Sequence, residues 1–145
     1  MKTLLIRSLL FLGLGLGFTC CNSVSPQIDR TKSLKGIQHF FVISNLNDNH
    51  AIDRSIVSAL IARGKDAASG PLTMMPDNSQ VVITYSDHWS WDFGEHLMYL
   101  TIEAHQANSQ HGYASITFQV RVPLRKSPGD IIADLVDQLL ADAKK

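Results

Sequence analysis

The sequence predicts an α+β two-layer sandwich, with one sheet, two helices packed on one of its faces, and the order β-α-β-β-β-α. Three observations carry this. Residues 97–105 and 114–122 alternate apolar and polar side chains on either side of a turn, the period of strands with one buried face. Ile52, Ile56 and Leu60, and again Ile131, Leu135 and Leu139, recur at spacing four, the apolar stripe of a helix lying on a core. The chain has 145 residues, 45% of them apolar and 18% charged, which suits a single packed domain. Its 13 basic residues balance 13 acidic ones, so charge gives no reason to expect nucleic acid as a partner. With two cysteines it is not a disulfide-stapled mini-protein.

The chain begins MKTLLIRSLLFLGLGLGFTCCNS: Lys2 and Arg7, an uncharged run over 9–18, then small polar residues. That is the order of a secretory signal peptide. The run is about half of the roughly 20 apolar residues a bilayer-spanning helix needs, and Gly13, Gly15 and Gly17 weaken it further as a helix. Both cysteines, Cys20 and Cys21, follow directly. Their placement resembles the lipobox of bacterial lipoproteins, where the signal peptide is cut just before a cysteine carrying a diacylglyceryl thioether. Cys21 is the expected attachment site, with apolar Phe18 at minus three and Thr19 at minus two, and Cys20 is the alternative. Residues 1–20 are then the signal peptide, 21–35 a lipidated terminus and tether, and 36–145 the domain. Cleavage before Cys21 leaves 11 basic and 13 acidic residues, so two or three palmitate-type chains, each buried methylene adding about 0.8 kcal/mol, would hold the protein rather than a basic patch. A capped thiol and no later cysteine mean that the domain is stable without a disulfide.

Residues 22–35 (NSVSPQIDRTKSLK) lack a sustained hydrophobic period and read as a tether with a span of about 20 Å. Residues 37–44 (IQHFFVIS) are β-rich and apolar on both faces, as in a central strand. Asp48 or Asn49 caps the first helix, and Gly64 stops it. Gly70, Pro71, Pro76, Asp77 and Asn78 punctuate residues 65–79, which read as a mobile surface excursion. Strands follow over 80–86, 97–105 and 114–122, the last ending on Val122. The last two form an antiparallel hairpin with a wet face. Ser127-Pro-Gly-Asp130 starts the second helix, with Ser127 as N-cap and Pro128 in the first turn. Lys144 and Lys145 lie at its favourable carboxyl end.

Functional candidates concentrate in residues 85–96 (YSDHWSWDFGEH), read as a loop holding both tryptophans. In an extended chain Asp87, Trp89 and Trp91 share a face. Two indoles there could stack on a sugar ring while Asp87 or Asp92 accepts hydroxyl hydrogen bonds; against this, indoles commonly plug a core and leave one polar tip to bond. His88, His96, Asp92 and Glu95 have no metal-ligand spacing, and His39, His105 and His111 read as core or solvated histidines. Adjacent Ser86, Asp87 and His88 point to opposite faces, which is wrong for a nucleophilic relay. Asp87 and Asp92 as a glycosidase pair is a weak reading, and no phosphate-cradling glycine loop follows a strand. No catalytic, metal-binding or cofactor-binding residue is therefore assigned.

The cysteine motif, FFVISNLNDNHAIDRSIVSALIARG and VVITYSDHWSWDFGEHLMYLTI together resemble a group of small bacterial envelope lipoproteins. Their domain is similar to the amino-terminal domain of TolB and to transport-auxiliary lipoproteins. The resemblance implies a non-enzymatic binding or assembly module, lipid-held, facing the periplasm, with the outer membrane as the expected site. The expected partner is another envelope protein, met at a strand edge or at the tryptophan segment. The competing expectation is a cell-wall glycan module using Trp89 and Trp91, and a hydrolase ranks third.

Overall fold

The computed structural model describes residues 26–91, 94–109, 111–122 and 124–141. Cys20 and Cys21, Asp92, Lys144 and Lys145 lie outside the described residues. One mixed sheet and two helices form the α+β sandwich. The elements are β1 (Gln27–Arg30), β2 (His39–Ile43), α1 (Ile52–Ile61), β3 (Asp66–Gly70), β4 (Val81–Trp91), β5 (Glu95–Gln106), β6 (Gly112–Gln119) and α2 (Pro128–Leu140). A single 3-10 turn over Leu72–Met74 follows β3. The sheet order is β1-β6-β5-β4-β2-β3. β2 runs parallel to β3 and β4, and the other neighbours are antiparallel.

Two strands correct the expected order. β1 lies inside the expected tether and pairs with β6 from Gln27 opposite Thr117 to Arg30 opposite Ala114. It has no apolar alternation to announce it; β6 supplies its hydrogen-bond partners, and Leu34 just beyond it is fully buried. Residues 27–30, expected in the tether, are therefore part of the sheet. β3 lies inside the expected excursion, where five small or polar residues complete a β-α-β crossover beside β2. The chain after it covers part of the outer face, so Phe41, which points away from the helices, is nevertheless buried, close to Gly70 and Met74.

The helices end as the sequence chemistry requires. Ala51, at φ 53, leads into α1, and the Asp48 carboxylate accepts from the Ile52 amide at 2.7 Å. Gly64, at φ +73, closes the helix with its N–H on Ile61 and the Lys65 N–H on Leu60, a glycine-terminated C-cap. At α2, the Ser127 hydroxyl accepts from the Asp130 amide at 3.1 Å with Pro128 in the first turn. Arg30 donates to the carbonyls of Gln138, Leu139 and Ala141, so β1 supplies the cation at the negative end of α2. Arg63 ties the helices together through the Asp137 carboxylate and the Ala59 and Ala133 carbonyls; its hydrogen bonds hold the Asp137 carboxyl below the usual range.

The core lies between the helices and the inner face of the sheet. Ile83, Leu100, Ile102, Ile116, Leu135 and Leu139 are essentially inaccessible to solvent. The opposite face carries Thr84, Glu103, Ser115 and Thr117, the expected wet rows, with Thr101 bonded to Tyr99 and Thr117. Val122 is not in a strand, because β6 ends at Gln119.

Candidate functional site

The tryptophan segment is not a loop but the outer half of β4. β2 follows β4 only as far as Ile83, and β6 follows β5 only as far as Tyr99, whereas β4 and β5 stay paired out to Trp91 opposite Glu95. Their last residues form a two-stranded arm projecting beyond the sheet. A ribbon of this kind is marginal by itself and needs packing on at least one face. Met98 is an extra residue between the His88–Tyr99 and Trp89–Leu97 pairs, a bulge at the root of the arm. The bulge returns Leu97 to the buried face, which strict alternation from Leu100 would not do.

The loop between β2 and α1 supplies that packing. His50 stacks on Trp89 with ring centroids 3.7 Å apart and planes inclined by 14°. Its Nε2 lies 3.3 Å from Glu95 Oε2, on the arm's second strand. Trp89 Nε1 donates to Asp87 Oδ2 at 2.6 Å. One level below, the buried Tyr85 hydroxyl donates to Asp48 at 2.8 Å and accepts from the Asn45 amide. Partial burial pushes the Asp48 carboxyl upward, but hydrogen bonds from Tyr85 and from the His50, Ile52 and Asp53 amides outweigh it and hold it below its ordinary value. Burial raises the Tyr85 phenol well above its ordinary range, so it is a neutral donor. Asp48 thus links the helix start, the loop and the arm.

This arrangement separates the two indoles. Asp87, Trp89 and Trp91 fall on one face of β4, but Trp89 is half-buried, with one face on His50 and its N–H on Asp87. Trp91 is 76% exposed. They do not form one open two-ring platform. His88 and Ser86 point to the other face by alternation. Among the described residues no group of three His, Cys, Asp or Glu side chains is placed to hold a metal ion. His39 bonds Asp66 across the β2–β3 pair, and His111 bonds Ser109 in the β5–β6 turn. Sequence reasoning missed His50. Its only signal was a ring-bearing residue in a polar loop just ahead of a helix.

A second concavity of about 890 Å³ lies on the outer face, where Leu72 and Met75 overhang Val82, Thr84 and His105. It is open to solvent and contains neither tryptophan.

No family model matches the chain, and no curated protein sequence matches it. Solved structures do. A PelC dodecamer from Paraburkholderia phytofirmans is similar at TM-score 0.59 and 16% identity, over 80% of this chain and 94% of that one. A second PelC dodecamer from the same organism gives 0.57 and 15%, over 80% and 95%. TolB from Acinetobacter baumannii gives 0.44 and 13%, over 80% of this chain and 31% of that one. At these identities the PelC likeness defines the fold, a small α+β domain found in an oligomeric bacterial protein.

Proposed function

We propose that this chain is a non-enzymatic module of the bacterial envelope, held at a membrane by acyl chains on Cys21, with Cys20 as the alternative, and that its domain binds another envelope protein. One observation carries the reading. The first strand begins at Gln27, six residues after a cysteine that itself follows a charged and then apolar leader, so the domain starts almost where the expected anchor ends. Support also comes from the fold it shares with PelC. The partner surface is the outer edge of β3, which flanks the sheet beside β2 and can add an extended segment by backbone pairing. The mature protein faces the periplasm, with the outer membrane as the proposed site.

The test is fractionation of the Cys21→Ser and Cys20→Ser/Cys21→Ser chains from the native cell after labelling with a radioactive fatty acid. The wild type is expected to carry label and pellet with membranes, and the double variant to lose both. A double variant that still pellets without label would defeat the anchor. A glycan module is the second reading; it rests on the exposure of Trp91, since Trp89 is engaged by His50 and Asp87. Retained stability with lost peptidoglycan pull-down in Trp91→Ala would favour it.

A further inference from the structure

The strand directions place the chain's entry point and the arm at the same end of the domain. β1 is antiparallel to β6, β6 to β5 and β5 to β4, so Gln27, the end of β6, the start of β5 and the end of β4 share one end. Gln27 is level with Thr117, hence with Thr101 and Ser86. Trp91 stands five residues farther along β4, about 17 Å beyond that level at roughly 3.4 Å per residue. The six steps from Cys21 to Gln27 span at most about 20 Å when fully extended. The reach of the chain ahead of the domain therefore matches the height of the arm.

Three large apolar side chains crown this end. Trp91 is 76% exposed, Leu46 in the loop that packs on the arm is 100% exposed, and Val122 just past β6 is 61% exposed. Arg121 and Arg125 flank Val122 in the connection to α2. An indole tip, two aliphatic side chains and nearby arginines suit the boundary between headgroups and acyl chains, where an amphipathic ring has one end apolar and one end wet. Among the described residues the other strongly exposed apolar side chains are Leu72 and Met74, in the turn that follows β3, and Ile61 at the far end of α1.

We infer that this end of the domain is a second membrane contact, in which Trp91, Leu46 and Val122 sit in the lipid interface beside the anchor. The inference rests on the proposed lipidation of Cys21, because a chain this short brings the arm to the bilayer only if its start is held there. The contact fixes the orientation of the domain, directing the opposite end, with the C-termini of α1 and α2, away from the membrane.

The test uses the full processed chain reconstituted into vesicles of phosphatidylethanolamine and phosphatidylglycerol at three to one, with and without brominated acyl chains. Trp89→Phe reports on Trp91, and the difference between wild type and Trp91→Phe isolates the same indole should Trp89→Phe fail to fold. Brominated lipid is expected to lower Trp91 emission at least two-fold and to leave Trp89 nearly unchanged, and iodide in water is expected to quench Trp91 only before vesicles are added. A protein that floats with vesicles while Trp91 stays open to iodide and unaffected by bromine overturns the contact and spares the anchor. A protein that does not float overturns both. Trp91 shielded from iodide before lipid is added assigns the tip to a second copy or another protein and likewise overturns the inference.

Discussion

Replacing Asp48 with alanine removes three kinds of contact at once, and the structure allows the loss to be apportioned. The carboxylate caps the first turn of α1 through the Ile52 amide, a function worth about 1 kcal/mol. It also accepts from the Tyr85 hydroxyl, a charge-assisted bond to a buried phenol whose loss costs about 1.5 kcal/mol. The loop bond from the His50 amide, 2.8 Å, goes with them and loosens the ring stacked on Trp89. The expected loss is about 2.5 kcal/mol, which for a domain of this size lowers Tm by roughly 8–10 °C. Urea melts of wild type, Asp48→Ala, Tyr85→Phe and the double variant form a cycle, and the two sites are expected to couple by about 1 kcal/mol. The pH dependence has a definite sign. The native Asp48 carboxyl lies below its ordinary value, so its contribution is complete above about pH 4 and fades as pH falls through the native value. The gap between wild type and Asp48→Asn should be full at neutral pH and narrow in acid. The native Tyr85 phenol lies above its ordinary value, so its contribution holds below about pH 10 and is lost as pH rises beyond it. An Asp48→Ala protein within 0.5 kcal/mol of wild type, or one strictly additive with Tyr85→Phe, would refute this account of the junction.

Other outcomes follow from the same contacts. Ser127→Ala should cost about 1 kcal/mol in thermal or urea melts by removing the N-cap of α2. Arg30→Met should cost about 1–2 kcal/mol and raise amide hydrogen exchange in β1 and the last turn of α2, because three carbonyls lose their donor. Trp89→Ala should destabilise by about 2 kcal/mol and quicken exchange in the arm, whereas Trp91→Ala should stay within about 0.5 kcal/mol of wild type. Equal losses in the two variants would contradict the separation of the indoles.

The legible parts of the fold are those whose local pattern and tertiary role agree. Ile52, Ile56 and Leu60 mark α1, Ser127 and Pro128 start α2, and the alternation around Ile102 and Ile116 marks β5 and β6, because in each the period of burial is the period of the element. β1 and β3 were not legible. QIDR and DAASG carry no hydrophobic period, and each is a strand only because a neighbouring strand offers backbone partners at an edge. Arg30 could not be recognised as a cap without knowing that β1 ends beside the last turn of α2. At the candidate site, the shared face of Asp87, Trp89 and Trp91 was readable from extended geometry. What distinguishes the tryptophans was not, because His50 reaches Trp89 from a loop 39 positions earlier in the chain. The bulge at Met98 was equally hidden, since it shifts the alternation of β5 without changing its composition.

The measurement that bears most directly on the account is the mass of the mature amino terminus from membranes of the native cell, read on the tryptic peptide of residues 21–30. A peptide beginning at Cys21 and carrying a diacylglyceryl group on sulfur, with or without a further acyl chain on nitrogen, is the predicted result. Free thiols at both Cys20 and Cys21 would contradict it.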